Sequence, residues 1–425
     1  MLKKTNAWLW VPTLYFASGL PYHAITSISD IMYKDLGVEN STITFLTSIF
    51  LIPWTIKPIW SPFVELISTR RKWTIYSQLL LALCFGMVAM FIPMNSYLLL
   101  TIIAFMIGAF VSSTHDIALD GFYILALPQE KQSFFSGIRN TAYRIATVFS
   151  SGILVMLANK IGHYLGCDAL AWSATFATTA IIMLAFFLYN RKAMPKPEND
   201  IDRAPRSVSM IFRDFGDIIR TYFKKPGIWS ALLFLLLFRF PEAQLGKIGK
   251  LFLMDPSTAG GLGLDKGDIG FLNGVIGVIG LIIGGIAGGI CISRKGLKYW
   301  LWPMVIAISL PDAVYVYMSM VLPESMTVVG GCIFIEQLGY GFGFTAYTLY
   351  MIYFAQGKYP TAHFAISTAF MSLGMMLPGM VSGKIQEWLG YEYFFIWVML
   401  CTVITFAVSA MIKIDPKFGK RQATE

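Results

Sequence analysis

The chain has 425 residues, of which 56% are hydrophobic and 13% are charged, and its formal net charge is +9. Soluble domains carry about 25% charged residues and could not bury this much apolar surface, so the composition excludes an ordinary soluble protein. The basic excess does not indicate a nucleic-acid partner, because it falls in alternate loops between apolar runs.

Apolar runs long enough to cross a bilayer recur along the whole sequence. About 20 mostly apolar residues span the hydrocarbon core as a helix, and open strands would leave backbone groups unpaired in lipid. The chain is therefore predicted to be an all-α membrane protein with twelve transmembrane helices in two six-helix bundles. The predicted spans are 7–33, 41–67, 73–93, 96–127, 132–158, 168–190, 227–254, 268–292, 299–320, 325–354, 360–386 and 391–413.

The loops indicate the topology. Lysine and arginine are concentrated at both termini and in every loop from an even to an odd span, so both termini are predicted to be cytoplasmic. The connection 191–225 is polar at first and then places apolar residues at spacings of three and four. This pattern predicts an amphipathic helix on the inner leaflet. We predict an N-terminal bundle over 1–190, a cytoplasmic linker over 191–226, and a C-terminal bundle over 227–425.

Two short cytoplasmic loops, six spans apart, have similar sequences. In the first, Glu65 precedes Arg70 and Arg71, and in the second, Ser293 precedes Arg294. The pattern resembles the Gly-x-x-x-Asp-Arg-x-Gly-Arg-Arg loop of the major facilitator superfamily, with Glu65 and Ser293 in place of the aspartate. We predict that Glu65, Arg70, Arg71 and Arg294 form a cytoplasmic gate loop. The alternative is that these loops are basic only because they are cytoplasmic.

Charged residues in spans four and five are predicted to face one another. Asp116 and Asp120 are four residues apart and share one helix face. In a hairpin that turns near 127–130, Asp120 lies level with Arg139, and Asp116 lies level with Arg144. A charge in the bilayer costs about 2.5–3.5 kcal/mol, so each of these residues indicates a function or a partner.

Two interpretations of these pairs remain open. In one, a permanent ion pair fastens the hairpin. In the other, the pair is a switch: arginine keeps its proton, so only the carboxylate titrates, and separation of the pair favours protonation. We predict that at least one pair bonds in the occluded or outward-open state, and we take Asp116, Asp120, Arg139 and Arg144 as proton-coupling or gating residues. His115 points about 100° away from Asp116 and is a candidate proton relay, with core packing as the alternative.

The second half carries a different set of polar residues. Arg239 and Glu242 are three residues apart beside a proline, and span ten carries an acid, an amide and aromatic rings mostly on one stripe. The predicted substrate-binding residues are Arg239, Glu242, Glu336, Gln337, Tyr340 and Phe344, together with Tyr143 from the first half. The alternative is that these groups only bond and pack helices together.

The sequence contains no pattern typical of metal binding, nucleotide binding or catalysis. The cysteines are scattered, and neither a metal-ligand spacing nor a nucleophile–base constellation is present, so we expect no metal, no cofactor and no enzymatic activity. The glycines in 284–289 lie within a span without a preceding strand, which predicts close helix packing and not phosphate binding. We expect a monomer in the lipid bilayer that acts on a small-molecule substrate and protons.

Three stretches are similar to the AmpG-type muropeptide permease branch of the superfamily, which is related to acetyl-CoA transporters. They are 15–22 with 58–62, 113–121 with 143–144, and 359–367 with 382–383 and 389–394. The resemblance implies the major facilitator fold and proton-driven import of N-acetylglucosaminyl-anhydromuropeptides, which are peptidoglycan turnover fragments, across a bacterial inner membrane. Arg239 and Glu242 stand where that branch has a lysine and an acid.

The chain also departs from that branch. His115 and His363 stand where the branch usually has glutamine, and Glu65 stands in place of an aspartate. A different substrate therefore stays open: another amino-sugar conjugate, acetyl-CoA or a siderophore-like molecule. A channel or uniporter without proton coupling is a further alternative.

Overall fold

The computed structural model describes residues 6–197, 200 and 208–420. Within these ranges, the description excludes the side chains of 62, 63, 65–67, 129, 130, 132–134, 136 and 208–214. The described residues are helical apart from turns and short loops, and they contain no strand. The prediction of an all-α fold is confirmed.

The helices follow one another with short connections. In chain order they are α1 (Val11–His23), α2 (Ser29–Asp35), α3 (Asn40–Ile49), α4 (Ile52–Thr55), α5 (Lys57–Ile67), α6 (Arg70–Phe91), α7 (Tyr97–Ala126), α8 (Gln129–Val148), α9 (Val155–Leu165), α10 (Asp168–Ala193), α11 (Val208–Phe223), α12 (Ile228–Leu237), α13 (Phe240–Met254), α14 (Lys266–Phe271), α15 (Val278–Lys295), α16 (Leu297–Ser309), α17 (Ala313–Val321), α18 (Met326–Ala355) and α19 (Pro360–Met411). Single π-helical turns join α1 to α2, α8 to α9 and α14 to α15. A 3-10 turn joins α16 to α17.

Many of these segments have the length and apolar content that a bilayer requires. Eight described segments are long and apolar enough to cross a membrane, which makes the chain a multi-pass membrane protein. The predicted second span is broken into α3, α4 and α5, where Pro53 and Pro58 interrupt the run. The predicted last two spans run on as α19 but kink at Gly390, whose φ is 74°. The count of twelve spans stays a prediction.

Contacts divide the chain into two compact units. The first consists of Met1–Leu36 with Ile56–Phe212, and the second of Gly37–Thr55 with Arg213–Glu425. The predicted bundles differ from these units in one respect: residues 37–55 precede the linker in the chain but pack with the second unit. A run of hydrophobicity marks a helix, whereas its packing partner depends on contacts between residues far apart in sequence.

The segment 37–55 is held in the second unit by hydrogen bonds between α3 and α19. Asn40 Nδ2 donates to Gln386 Oε1 and to Tyr391 Oη, both at 2.9 Å. The amide of Gly383 donates to Thr44 Oγ1 at 3.2 Å, so the two backbones approach closely at this glycine. Several polar groups far apart in sequence therefore converge on one end of α3.

Glycines determine how α15 and α18 pack in the second unit. A methyl group added at Gly284 would lie 2.1 Å from the carbonyl oxygen of Leu338, and one added at Gly341 would lie 2.2 Å from the carbonyl oxygen of Leu281. Only glycine lets the two backbones approach this closely. The predicted role of the glycine-rich segment in helix packing is confirmed.

The linker helix α11 packs on protein. Tyr222 is fully buried in the core of the second unit, and Ile218 and Ile219 pack against the same core. The ends of α18 and α19 therefore cover Tyr222 on the predicted apolar face, and the contact of α11 with the inner leaflet stays a prediction. The predicted apolar positions 208, 211 and 212 lie outside the described side chains.

Charged groups also hold α11 at the connection between α18 and α19. Asp217 Oδ2 accepts hydrogen bonds from Lys358 Nζ at 3.0 Å and from Tyr359 Oη at 2.9 Å. These two bonds, that of Lys358 first, hold the pKa of Asp217 below its usual value. Lys225 Nζ donates to the carbonyl oxygens of Phe354 and Gln356.

Candidate transport sites in the two units

In the first unit, α1 brings hydroxyl groups to the two carboxylates of α7. Asp116 and Asp120 are four residues apart on α7, and Tyr15 and Ser18 are three residues apart on α1. Tyr15 Oη donates to Asp120 Oδ1 at 3.1 Å, and Ser18 Oγ donates to Asp116 Oδ1 at 2.6 Å. Each carboxylate therefore has a hydroxyl partner on the neighbouring helix, and the helical repeat sets both pairs.

Arg139 of α8 completes this arrangement. Its Nη2 lies 3.6 Å from Asp120 Oδ1, so the predicted pairing of these two residues is observed. Its guanidinium carbon lies 4.7 Å from the ring centre of Tyr15 and 5.3 Å from that of Tyr123. The side chains of Arg139 and Asp120 are 33% and 48% exposed, so solvent screens the pair and it contributes little stability by itself.

The polar side chains of the first unit line a small cavity of about 150 Å³. Drug-sized ligands occupy about 300–1,000 Å³, so this volume suits several waters or one group of a larger substrate. The lining residues are Tyr15, Ser18, Lys57, Asp116, Leu119, Asp120, Arg139, Asn140 and Tyr143. Both predicted coupling carboxylates, Arg139 and Tyr143 thus come together at one place.

The sequence analysis did not predict four polar residues of this cavity, which are Tyr15, Ser18, Lys57 and Asn140. Tyr15 and Ser18 carry a signal, since their spacing of three matches the spacing of four between the two aspartates on the facing helix. Lys57 is recognisable in the sequence as a cation inside an apolar run. Nothing in the pattern marks Asn140, whose position depends on how α8 packs.

The other two predicted coupling residues lie elsewhere. Arg144 is half-buried and does not line the cavity, and its predicted pairing with Asp116 is not observed among the described residues. His115 is fully buried, and its Nε2 lies 3.2 Å from Gln78 Nε2. Gln78 in turn accepts from Asn190, which accepts from Thr13. His115 therefore belongs to a polar chain between helices, on a different face from Asp116.

Arg239 is the hub of the corresponding cluster in the second unit. It is the N-cap residue of α13, two residues after α12 ends at Leu237, and Pro241 occupies the first turn of α13. Its Nε and Nη2 donate to the two oxygens of Glu242 at 2.6 and 2.9 Å, and Nη2 also donates to Tyr340 Oη at 2.8 Å. The guanidinium carbon lies 4.8 Å from the ring centre of Phe344. Four of the predicted substrate-binding residues are thus in mutual contact.

The other two predicted substrate-binding residues of the second unit, Glu336 and Gln337, form a neighbouring pair on α18. Gln337 Nε2 donates to both oxygens of Glu336, at 3.2 and 2.9 Å, and Glu336 is 5% exposed. The charge of Glu242 acts on Glu336, which places this pair near the Arg239 cluster. Among the described residues there is no group of His, Cys, Asp and Glu suited to a metal ion.

Hydrogen bonds and packing hold two arginines of the predicted gate loop, Arg70 and Arg71, in place. The backbone amides of Arg70 and Arg71 donate to the carboxylate of Asp200, each at 3.0 Å, so Asp200 caps the N-terminus of α6. Arg71 Nη2 donates to the carbonyl oxygen of Arg191 at 2.7 Å. A methyl group at Gly121 would lie 2.6 Å from Arg70 Nε, so the first of these arginines packs directly on α7.

The other two predicted gate-loop residues are Glu65 and Arg294. The side chain of Glu65 lies outside the described residues. Arg294 is exposed in the last turn of α15, where a cation interacts favourably with the helix dipole.

Comparison with known proteins decides the family. The profile of the Major Facilitator Superfamily matches residues 13–382. The chain belongs to the major facilitator superfamily. Its members are transporters, and the curated relatives below are described as transporters or permeases, so the protein is a membrane transporter and not an enzyme.

Two relatives and one solved structure illustrate the similarity. The chain is 26% identical over 404 residues to the putative transporter AmpG 4 of Rickettsia conorii, covering 91% of this chain and 92% of the relative. It is 25% identical over 398 residues to the anhydromuropeptide permease of Escherichia coli K12, covering 92% of this chain and 76% of the relative. A POT family transporter crystallised with a thioalcohol-conjugated peptide superposes with a TM-score of 0.72 at 11% identity, covering 94% of each chain, which supports the fold alone.

Proposed function

We propose that this major facilitator transporter imports peptidoglycan-derived anhydromuropeptides, or a related amino-sugar conjugate, by alternating access coupled to protons. In this proposal it resides in a bacterial inner membrane with both termini in the cytoplasm. The similarity to the Escherichia coli anhydromuropeptide permease over 92% of the chain supports the substrate class. The distribution of lysine and arginine among the loops supports the orientation.

The observation that carries the coupling proposal is the partly exposed contact between Asp120 and Arg139. The two charged atoms are 3.6 Å apart, and 48% of the Asp120 side chain is exposed, so a proton can reach the carboxylate from water. Arginine stays charged at any physiological pH, so in this proposal Asp120 is the member of the pair that carries the transported proton. The proton binds while Arg139 is away from Asp120 and leaves when Arg139 returns.

This cycle ties proton movement to a change in helix packing. Tyr15 also bonds Asp120, and Arg139 lies over the ring of Tyr15, so the three residues rearrange together when α1 or α8 moves against α7. Each proton that enters down the membrane potential supplies about 2.3 kcal/mol per 100 mV. That energy is available for uptake against a gradient.

Substrate recognition is assigned to the Arg239 cluster. A guanidinium binds a carboxylate through two parallel hydrogen bonds, and Glu242 makes both of them here. A substrate carboxylate can exchange with Glu242, while Tyr340 and Phe344 offer aromatic faces to a sugar ring. In this proposal Tyr143, which lines the cavity of the first unit, is a further substrate-contacting residue.

Uptake into proteoliposomes tests the proposal. Labelled anhydromuropeptide should accumulate only with an inward proton gradient, and Asp120→Asn should abolish accumulation while it retains exchange of labelled for unlabelled substrate. Asp268→Asn, the same change at an exposed position of α14, is the matched control. Accumulation that ignores a collapsed gradient would refute the coupling, and an absence of binding and exchange would refute the substrate.

A further inference from the structure

A break between α16 and α17 places an acid in the interior of the second unit. The 3-10 turn Leu310–Asp312 contains Pro311, which has no amide to donate. α18 packs directly on this break: a methyl group at Gly339 would lie 2.2 Å from the carbonyl oxygen of Ala307 and 2.7 Å from Pro311 Cγ. Glu336 lies three residues before Gly339 on the same helix, so Asp312 and Glu336 belong to neighbouring, tightly packed elements.

Both acids are almost completely removed from solvent. Asp312 is 3% exposed, and its Oδ2 has no hydrogen-bond partner among the described residues. Ser309 Oγ, three residues earlier, is equally buried and also has no partner in the part of the chain that the structure describes. Glu336 accepts hydrogen bonds from the neutral amide of Gln337. An ionised carboxylate is poorly stabilised in such a place, because burial removes its hydration and one neutral amide is the only described donor to the pair.

The charged groups around the pair add to this effect. Asp312 is acted on by the carboxyl groups of Glu336 from α18 and of Glu242 from α13. The guanidinium of Arg239 is held by both oxygens of Glu242. The other titratable groups that face the pair are Tyr315 on α17 and Cys332 on α18, and from α19 the apolar ring of Phe395 packs on Tyr315. Glu242 therefore occupies the guanidinium of Arg239, and Asp312 and Glu336 add two further acids close to Glu242.

We propose that the Asp312–Glu336 pair is a second proton-binding site of the transporter, located in the second unit and carrying at least one proton in the conformation of this structure. The proton comes from water and forms an O–H bond with a carboxylate oxygen, and its release returns it to water without any other bond change. The bound proton gives the pair an O–H donor of its own, where Asp312 Oδ2 has no hydrogen-bond partner among the described residues. Its part in transport rests on the proposed proton coupling, whereas its existence does not.

The first test uses the unaltered protein in lipid vesicles. Dicyclohexylcarbodiimide adds to the protonated form of a buried carboxyl group, and mass spectrometry of peptides identifies the modified residue. We expect modification of Asp312 or Glu336, with a rate that falls tenfold per pH unit once the site loses its proton. The exposed Asp268 should stay unmodified and serves as the internal control. Failure to modify either buried acid at any pH would overturn the proposal, as would protection by Na⁺ at constant pH, which indicates a metal-ion site.

The second test separates this site from the proposed function. Asp312→Asn and Glu336→Gln should each lower gradient-driven accumulation at least tenfold. Asp312→Asn should retain substrate exchange, and Glu324→Gln, an exposed control, should behave as the unaltered protein does. Full accumulation in both variants would overturn a role of the site in coupling. If the unaltered protein does not accumulate anhydromuropeptide, the proposed function fails, and the labelling experiment still decides whether the proton site exists.

Discussion

Replacing Gly383 with alanine perturbs the packing of α3 on α19 at its closest point. A methyl group there would lie 2.4 Å from Thr44 Oγ1, 2.5 Å from the carbonyl oxygen of Asn40 and 2.7 Å from Ser41 Cα. Ordinary van der Waals contact begins at 3.4 Å, so α3 must retreat by about 0.9 Å from the carbonyl contact alone. Overpacking of this kind costs about 1–3 kcal/mol.

That cost applies only while α3 and α19 are in contact. If α3 leaves α19 during the transport cycle, alanine shifts the equilibrium away from the packed state by about 5- to 150-fold. A cysteine introduced by Ser48→Cys reports this shift, because Ser48 is fully buried on α3 and its hydroxyl has no hydrogen-bond partner to lose. The reaction rate of the new thiol with a water-soluble maleimide measures the population in which α3 is exposed.

The control is a glycine-to-alanine substitution at a position where the added methyl group has free space. Gly246 lies on α13, and no atom lies within 4 Å of a methyl group built there. Gly383→Ala should therefore accelerate labelling at position 48 by at least about fivefold, and Gly246→Ala should leave it within about twofold. Equal rates in the two backgrounds would refute the packing argument, since the contact would then not limit access to α3.

Three other substitutions test other parts of the structure. Arg139→Lys keeps the charge but loses the planar contact with two tyrosine rings, so gradient-driven uptake should fall and stability should drop by about 0.5–1 kcal/mol in thermal unfolding. His115→Gln should lower the melting temperature and leave the pH dependence of uptake unchanged, because His115 bonds a buried chain outside the coupling cavity; a changed pH profile would restore it as a relay. Asp217→Asn should speed amide hydrogen exchange in α11 at neutral pH. Since the pKa of Asp217 is lowered in the folded chain, the tether is complete above the ordinary value of 3.8, and the difference from the unaltered protein should vanish as the pH falls below it.

The fold class could be predicted because lipid leaves few options. Long apolar runs must become helices in a bilayer, and the predicted boundaries of most spans agree with the structure to within a few residues. The turn between Ala126 and Gln129 was also predictable, and with it the level pairing of Asp120 with Arg139. This pairing depends only on the spacing of residues along two helices that a short turn connects, and the sequence gives that spacing directly.

Packing between distant segments was not predictable in the same way. Tyr15 and Ser18 meet the two aspartates only because α1 lies against α7, some 100 residues away in sequence. Arg144 fits the hairpin register but not the observed cavity, because the rotation of α8 decides which side chains point inward. An amphipathic helix has the same sequence pattern whether its apolar face covers lipid or protein. The residues of α11 therefore could not show that this face packs on the second unit.

By itself, the sequence determined the helical membrane fold, the placement of the charged residues along each helix, and the similarity to muropeptide permeases. Only the tertiary structure decided which distant groups join each site: Tyr15 with Asp120, Tyr340 with Arg239, and Asp312 near Glu336. The physical reason is the range of each effect. Helix formation and the cost of apolar surface in water act over one turn or one span, whereas electrostatic partnership depends on atoms that folding brings within a few ångströms.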